Sequence, residues 1–409
     1  MLDIMEAVRQ AAAARGRSLE GIPFPEVIRL EPGAVKETAG YLAETGLRSI
    51  VVVSDAVIGK AVRYELTKDL IANGSRASLV EVLPNAVGDV VADEASIVQV
   101  LLEIQKLRAD AVVALGAGTI HDIVRYAAFS SGLPFVSVPT APSVDGFTSR
   151  GAPILIRGHK HTVPAIGPSA IFADTHILKE APAAMVAAGF GDMLGKYTSL
   201  FDWTFEHMVT GAPYDELSAD MTMQALASCI DQVEAIGSRT EEGVSVLMQA
   251  LIQSGLAMLI FGQSHPASGA EHHLSHYWEM EFLRTGRRQL LHGAKVGAAC
   301  AVIARLYREL ADSGLPYGSE GALPEELRHA ARQAEGRWPE IRQLIGALPE
   351  PERIQAWLTA AQGPATTEEL GIGPELVARA LREADEVRPS RLTLLRLYNS
   401  LLRHQPLSS

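Results

Sequence analysis

Three polar residues far apart in the chain, Asp192, His272 and His292, each sit in a local sequence that suits a metal ligand. Asp192 lies in G-F-G-D-M-L-G-K, His272 is the first histidine of E-H-H-L-S-H, and His292 lies in L-L-H-G-A-K-V-G. One carboxylate and two neutral imidazoles suit a borderline divalent ion, and three protein ligands leave a position open for a substrate oxygen. An open position points to chemistry rather than scaffolding. His272 and His276 are four residues apart and share one helical face, while His273 turns away. His276 either joins His272 on the metal or touches the substrate beside it. Glu271 precedes this pair instead of following its first member, so H-E-x-x-H is absent and a zincin peptidase lacks its base. Lys196, one turn after Asp192, would meet an anionic substrate or pair with Asp202 or Glu206; the ion pair is the plainer expectation.

A second chemical signal follows the strand-like A-V-V-A-L, where Gly116-Ala117-Gly118-Thr119-Ile120-His121-Asp122 leads into a helix. Glycines at a strand-to-helix turn let the backbone approach a phosphate, and the free N–H groups of the helix start favour its charge. The stretch is not G-x-G-x-x-G, because His121 holds the third glycine position. Asp55, at the end of R-S-I-V-V-V-S, is placed to accept from an adenosine ribose and to repel a 2′-phosphate, which favours NAD over NADP. The next strand runs into Thr140, Ala141, Pro142 and Ser143 and on through Asp145 to Ser149, a loop at the sheet edge where open α/β folds bind ligands. Ordinary turn chemistry is the competing explanation for Thr140, Ser143 and Ser149.

Positioning these residues takes two kinds of architecture. From about residue 25 to 175, short β-branched runs alternate with helical periods, the signature of βαβ units and a mainly parallel sheet. Strands are expected at Arg48 to Ser54, Ser78 to Leu83, Ala111 to Leu115, Phe135 to Pro139 and Ala170 to Asp174. Beyond Asp174 the windows are helical: Ala183 to Val209, Met221 to Ile236, Glu242 to Phe261 and Lys295 to Leu310. The expectation is an α/β nucleotide-binding domain over residues 1–177 and an all-helical domain over 178–409, with the ligand in the crevice between them. Gly and Pro clusters such as P-Y-G-S-E-G-A-L-P interrupt the region from Leu315 to Pro374, and a last helix from Pro389 to Arg403 packs Leu394, Leu397 and Leu401 into a core.

Composition narrows the partners. The chain has 409 residues, 47% apolar, with a formal net charge of -12 and its 36 basic residues scattered, so no basic track is offered to DNA or RNA. The N-terminal stretch lacks the basic start and apolar core of a secretory signal, and no run of eighteen uninterrupted apolar residues suggests a membrane span. Two cysteines, Cys229 and Cys300, fit packed thiols in a reducing compartment, so a cytoplasmic location is expected.

Taken in order and at these separations, G-A-G-T-I-H-D, V-P-T-A-P-S-V-D-G, G-F-G-D, S-G-A-E-H-H-L-S-H and L-H-G-A-K-V-G resemble the sn-glycerol-1-phosphate dehydrogenases. These belong to the iron-containing alcohol dehydrogenase and glycerol dehydrogenase superfamily, which also holds dehydroquinate synthase. The likeness covers residues 25 to 310; one departure is Ala117 within a glycine run fuller in many relatives. The resemblance implies the dehydroquinate synthase-like fold and a zinc or nickel ion held by Asp192, His272 and His292. It implies NAD or NADP contacts at Asp55, Gly116, Gly118, Thr119, Ile120, His121, Asp122, Thr140, Ala141, Pro142, Ser143 and Ser149. Asp145 and His276 match substrate contacts and, with Asp192, make up the implied catalytic set. The implied reaction is reversible hydride transfer between NAD(P)H and dihydroxyacetone phosphate, a phosphorylated triose, in a homo-oligomer. Cationic groups near Lys196, Arg150 or the Arg157, Lys160 and His161 segment are the expected holders of the phosphate. The alternatives are a glycerol or other polyol dehydrogenase, a cyclising lyase like dehydroquinate synthase, and a regulator without turnover. The lyase branch carries a glutamate where Asp192 stands, and a basic segment absent here.

Overall fold

The computed structural model describes residues 4–316 and 323–404; residues 317–322 of the Gly and Pro cluster lie outside these, as do 1–3 and 405–409 at the outer ends of the two expected domains. Six strands form one fully parallel sheet: β1 (Val27–Glu31), β2 (Ser49–Ser54), β3 (Arg76–Glu81), β4 (Ala111–Gly116), β5 (Phe135–Pro139) and, after a hairpin of β6 (Gly151–Ile156) and β7 (His159–Pro164), β8 (Ala170–Asp174), in the order β1-β8-β5-β4-β2-β3. The continuous apolar runs of β2 and β4 reflect burial on both faces. Ile50 and Val52 pack with Leu42, Leu66 and Leu70 on one side, while Val51 and Val53 meet Ile97, Val100, Ile104 and Ile123 on the other. The helix after β2, Lys60–Ala72, and the helix after β4, Gly118–Ser131, thus lie on opposite faces. Strand order reverses between β2 and β4, and this is where an open parallel sheet leaves a crevice at its carboxyl edge. Asp55 and the Gly116–Gly118 turn are its two rims.

All five expected strands form, the second shifted two residues earlier to Arg76–Glu81. β1 was not expected: it is short, lies at the sheet edge and alternates buried Ile28 and Leu30 with exposed Arg29 and Glu31. The β6–β7 hairpin was not expected either, because H-K-H-T-V-P exposes most of its side chains. Its two-residue turn, Arg157-Gly158, has φ of 51° and 77°, the doubly positive geometry that matches hairpin twist.

The other half is helical. The expected window from Ala183 to Val209 divides at Gly195 into Ala183–Leu194 and Lys196–Thr210. Ala183–Leu194 and His292–Ser313 cross with their backbones in contact: a Cβ on Gly191 would stand 2.3 Å from the Gly293 carbonyl oxygen, and one on Gly293 would stand 1.8 Å from that of Ala188. The glycines beside Asp192 and His292 are what bring those two side chains together. Glu241–Phe261 has the length and hydropathy of a membrane span, yet it is core, with Val244, Leu247, Met248, Leu251 and Ile252 buried. Helix Ile4–Ala14 packs Met5 and Val8 against Met221, Val244 and Met248, so the chain's start is tied to the helical half. The last helix is Leu394–Arg403, capped by Thr393 rather than starting at Pro389, and Leu394, Leu397 and Leu401 are in the core as expected.

Candidate metal and cofactor site

Asp192, His272 and His292 converge: one ligand atom from each lies within 4.8 Å of the others. Three helices supply them, Ala183–Leu194, Ala270–Arg284 and His292–Ser313, the first and third meeting at the glycine crossing described above. His272 Nε2 is 3.7 Å from Asp192 Oδ1, and the His272 and His292 rings are 5.2 Å apart. The donor chemistry fits a borderline divalent cation. Burial holds His292 well below the ordinary histidine range, so it presents a neutral imidazole. Glu271 fixes the tautomer of His272. Burial would raise its carboxyl, but bonds from His272, Thr198 and the Gly269 N–H outweigh that and keep it ionised. His272 Nδ1 therefore donates to Glu271 Oε1 at 2.7 Å, leaving Nε2 free for a metal. Exchanging Glu271→Gln weakens this acceptor, and metal affinity is expected to fall by about 10- to 100-fold, measured by competition with a chelating dye.

Behind these three side chains sits a buried ion network. Lys196 is fully buried and does not pair with Asp202 or Glu206; its ammonium lies 2.7 Å from Asp145 Oδ2 and 3.2 Å from Asp192 Oδ1, and it donates to the Ala267 carbonyl at 3.1 Å. Burial opposes its charge, but the two carboxylates outweigh burial and raise its pKa, so it stays protonated and orients Asp192. Asp202 and Glu206 stand six and ten residues further along the same helix, not the three or four that place side chains together, while Asp192 stands four residues before Lys196. Asp202 accepts from Tyr307 and from the Ala270 N–H, which anchors the start of the histidine helix.

A cavity of about 780 Å³ runs from the sheet edge to these histidines. Its walls include Asp55, Gly118, Thr119, Ile120, His121, Asp122, Ser143, Asp145, Ser149, His272, His276 and His292 among the expected residues. Gly116, Thr140, Ala141 and Pro142 do not reach it, and Asp192 lies fully buried behind it. Thr140 donates its N–H to the Gly116 carbonyl at 3.1 Å, and a Cβ on Gly189 would stand 1.8 Å from the Pro142 carbonyl oxygen, so this loop packs on protein. The glycines of the turn also serve packing: a Cβ on Gly116 would meet Ile120 at 2.6 Å, and one on Gly118 would meet Val144 at 2.8 Å. His121 spends its imidazole on the protein, with Nε2 2.7 Å from Ser137 Oγ and Nδ1 3.0 Å from the Ala117 carbonyl. Asp55 Oδ1 accepts from the Val57 and Ile58 N–H groups, and its second oxygen has no protein donor among the described residues. Ser149 accepts from the Gly151 N–H, the turn role that competed with a binding role. His276 is buried at the cavity wall, held well below the usual histidine range by burial, and neither ring nitrogen has a hydrogen-bond partner among the described residues.

Several cavity residues escaped sequence reasoning. Glu279, one turn beyond His276 on the same helix, receives Lys160 from the hairpin at 2.8 Å and Lys295 at 3.0 Å. Burial would raise its carboxyl, but the two ammonium groups outweigh it and hold it well below the usual range. Its spacing from His272, seven residues, was the available signal. Arg388 also reaches the cavity, from a segment with no motif to mark it.

The sequence model of the iron-containing alcohol dehydrogenases matches residues 29–182. A "Glycerol-1-phosphate dehydrogenase [NAD(P)+]" from Geobacillus stearothermophilus is 47% identical over 98% of each chain, and one of the same name from Bacillus subtilis is 43% identical over 97% of each. In three dimensions, a probable glycerol dehydrogenase from Sinorhizobium meliloti superposes with a TM-score of 0.67 at 18% identity, covering 93% of this chain and 96% of that one, which supports the fold alone. With near full-length identity to these relatives, this chain belongs to the glycerol-1-phosphate dehydrogenases of the iron-containing alcohol dehydrogenase family.

Proposed function

We propose that this chain transfers hydride between NAD(P)H and dihydroxyacetone phosphate to give sn-glycerol 1-phosphate, reversibly, with one divalent cation, zinc or nickel. The observation that carries this reading is the convergence of Asp192, His272 and His292 at the end of a cavity whose other end is the β4 turn and Asp55. The names of the relatives supply the substrate class and the cofactor. Asp192, His272 and His292 would hold the cation; when bound, it supplies Lewis-acid polarisation of the C2 oxygen while the nicotinamide exchanges hydride.

The chain's own residues do the rest. Lys196 holds Asp192 and Asp145 in place, and Ser254 donates to the same Asp145 oxygen at 2.8 Å, leaving Oδ1 of this cavity-lining carboxylate without a protein donor among the described residues. His276, neutral and facing the cavity, accepts or relays a substrate hydroxyl proton. The N–H groups of the Gly118–Ser131 helix start take the cofactor pyrophosphate together with Ser143, and Asp55 takes the adenosine ribose, favouring NAD. Residues Thr140, Ala141 and Pro142 support that loop from behind. Residues 1–177 and 178–409 divide the cofactor and metal tasks. Buried, free Cys229 and Cys300 suit the cytoplasm, and a homo-oligomer fits the exposed Leu83, Val98 and Leu102 beside the β3 edge.

Steady-state assay of metal-loaded protein tests the reading. NADH oxidation with dihydroxyacetone phosphate, giving the 1-phosphate enantiomer, is the expected result. Turnover of glycerol without that activity would sink it in favour of a polyol dehydrogenase. A lyase would leave no stoichiometric change in cofactor.

A further inference from the structure

We propose that Arg388, delivered by the C-terminal segment, is the group that holds the substrate phosphate and so sets the preference for a phosphorylated triose. This rests on the reading above and deepens it. Arg388 lies between the short turn at Ala384–Glu386 and the last helix, on a segment tied down at several points. Asp385 accepts from Asn399 at 2.7 Å and from Arg403 at 2.6 Å; Arg391 pairs with Glu206; and the Leu392 and Leu394 N–H groups donate to Glu206 and Asp202. Helix Lys196–Thr210, which carries those two acids, therefore positions the arginine.

The charge balance of the cavity singles Arg388 out. Lys160 and Lys295 share Glu279, Arg288 pairs with Asp89, and Lys196 is neutralised by two aspartates. Arg388 has no carboxylate partner among the described residues; its Nη1 reaches only the hydroxyl of Ser268 at 3.0 Å and that of Ser264 at 3.5 Å. A guanidinium crowded by protein and unpaired is costly, and the expected compensation is an anion. The side chain is part-buried and lines the cavity, bonded to Ser268 just before the histidine helix and near enough to His276 for its charge to act on that imidazole. Burial and the neighbouring Arg391 both push its pKa down, a strain that a dianion would relieve. A planar fork with two nearby hydroxyls suits a phosphate monoester better than a neutral polyol end.

The test is steady-state kinetics of metal-loaded wild type, R388M, R388K and K160M with dihydroxyacetone phosphate, and inhibition by inorganic phosphate. The proposal expects R388M to raise KM about 100-fold, with phosphate inhibition weakened in parallel and the KM for NADH unchanged. R388K, which keeps the charge without the fork, is expected in between. If R388M does not fold, R388K alone decides, through a KM shift of about tenfold or more. An unchanged KM and phosphate inhibition in the arginine variants, or a KM rise confined to K160M, would overturn the proposal while leaving the reaction assignment intact. A wild type inactive on dihydroxyacetone phosphate overturns that assignment itself, and this proposal with it.

Discussion

Replacing His292→Ala is expected to abolish turnover while leaving a folded protein. His292 opens its helix and contributes one of three ligand atoms that lie within 4.8 Å of one another. With it gone, a cation has only Asp192 and His272, and charge stabilisation of several kcal/mol is withdrawn from the reacting oxygen. At about 1.4 kcal/mol per factor of ten, kcat/KM should fall on the order of a thousandfold or more. Metal per chain after gel filtration should drop well below one, and the rise in thermal midpoint that added metal gives the wild type should disappear, since only binding to the native state stabilises it. Full metal content and activity in this variant would show that the three side chains are not the ligand set.

Lys196→Met carries the largest expected cost in stability. The ammonium answers Asp145 at 2.7 Å and Asp192 at 3.2 Å in a place where none of the lysine or Asp192 side chain is exposed. Methionine fills the volume but leaves two carboxylates without their counter-charge and the Ala267 carbonyl without its donor. Breaking a buried ion cluster from one side costs about 3–5 kcal/mol. Urea unfolding of the metal-free protein measures it, and a divalent ion should restore more stability to the variant than to the wild type because it supplies positive charge beside Asp192. By contrast, Arg305→Met, which removes an exposed partner of Glu352, should leave the unfolding midpoint unchanged. Equal midpoints for the two variants would mean that the Lys196 network contributes nothing to the fold.

Much of the architecture was legible because its signals are local. The β-branched runs of β2, β4, β5 and β8 are buried on both faces and read as strands wherever they occur. β1 and the β6–β7 hairpin were not legible, since each exposes alternate or most residues and is held by a neighbour or by an Arg-Gly turn with positive φ. The hairpin matters, because it carries Lys160 to Glu279. The glycines of the β4 turn have a packing reason that their motif does not show: Ile120 and Val144 occupy the space a Cβ would need.

The chain itself determined which residue types are available for chemistry, two imidazoles and a carboxylate in glycine-flanked settings, and the periodicities that make three of its segments helices. Helical spacing also placed His276 and Glu279 near the face of His272. Tertiary structure alone decided that Lys196 answers Asp145, that Thr140 to Pro142 turn away from the cavity, and that Arg388 enters it. Those outcomes depend on backbone approach at Gly191 and Gly293 and on contacts between residues about fifty to more than a hundred positions apart, which no periodicity of 2 or 3.6 encodes.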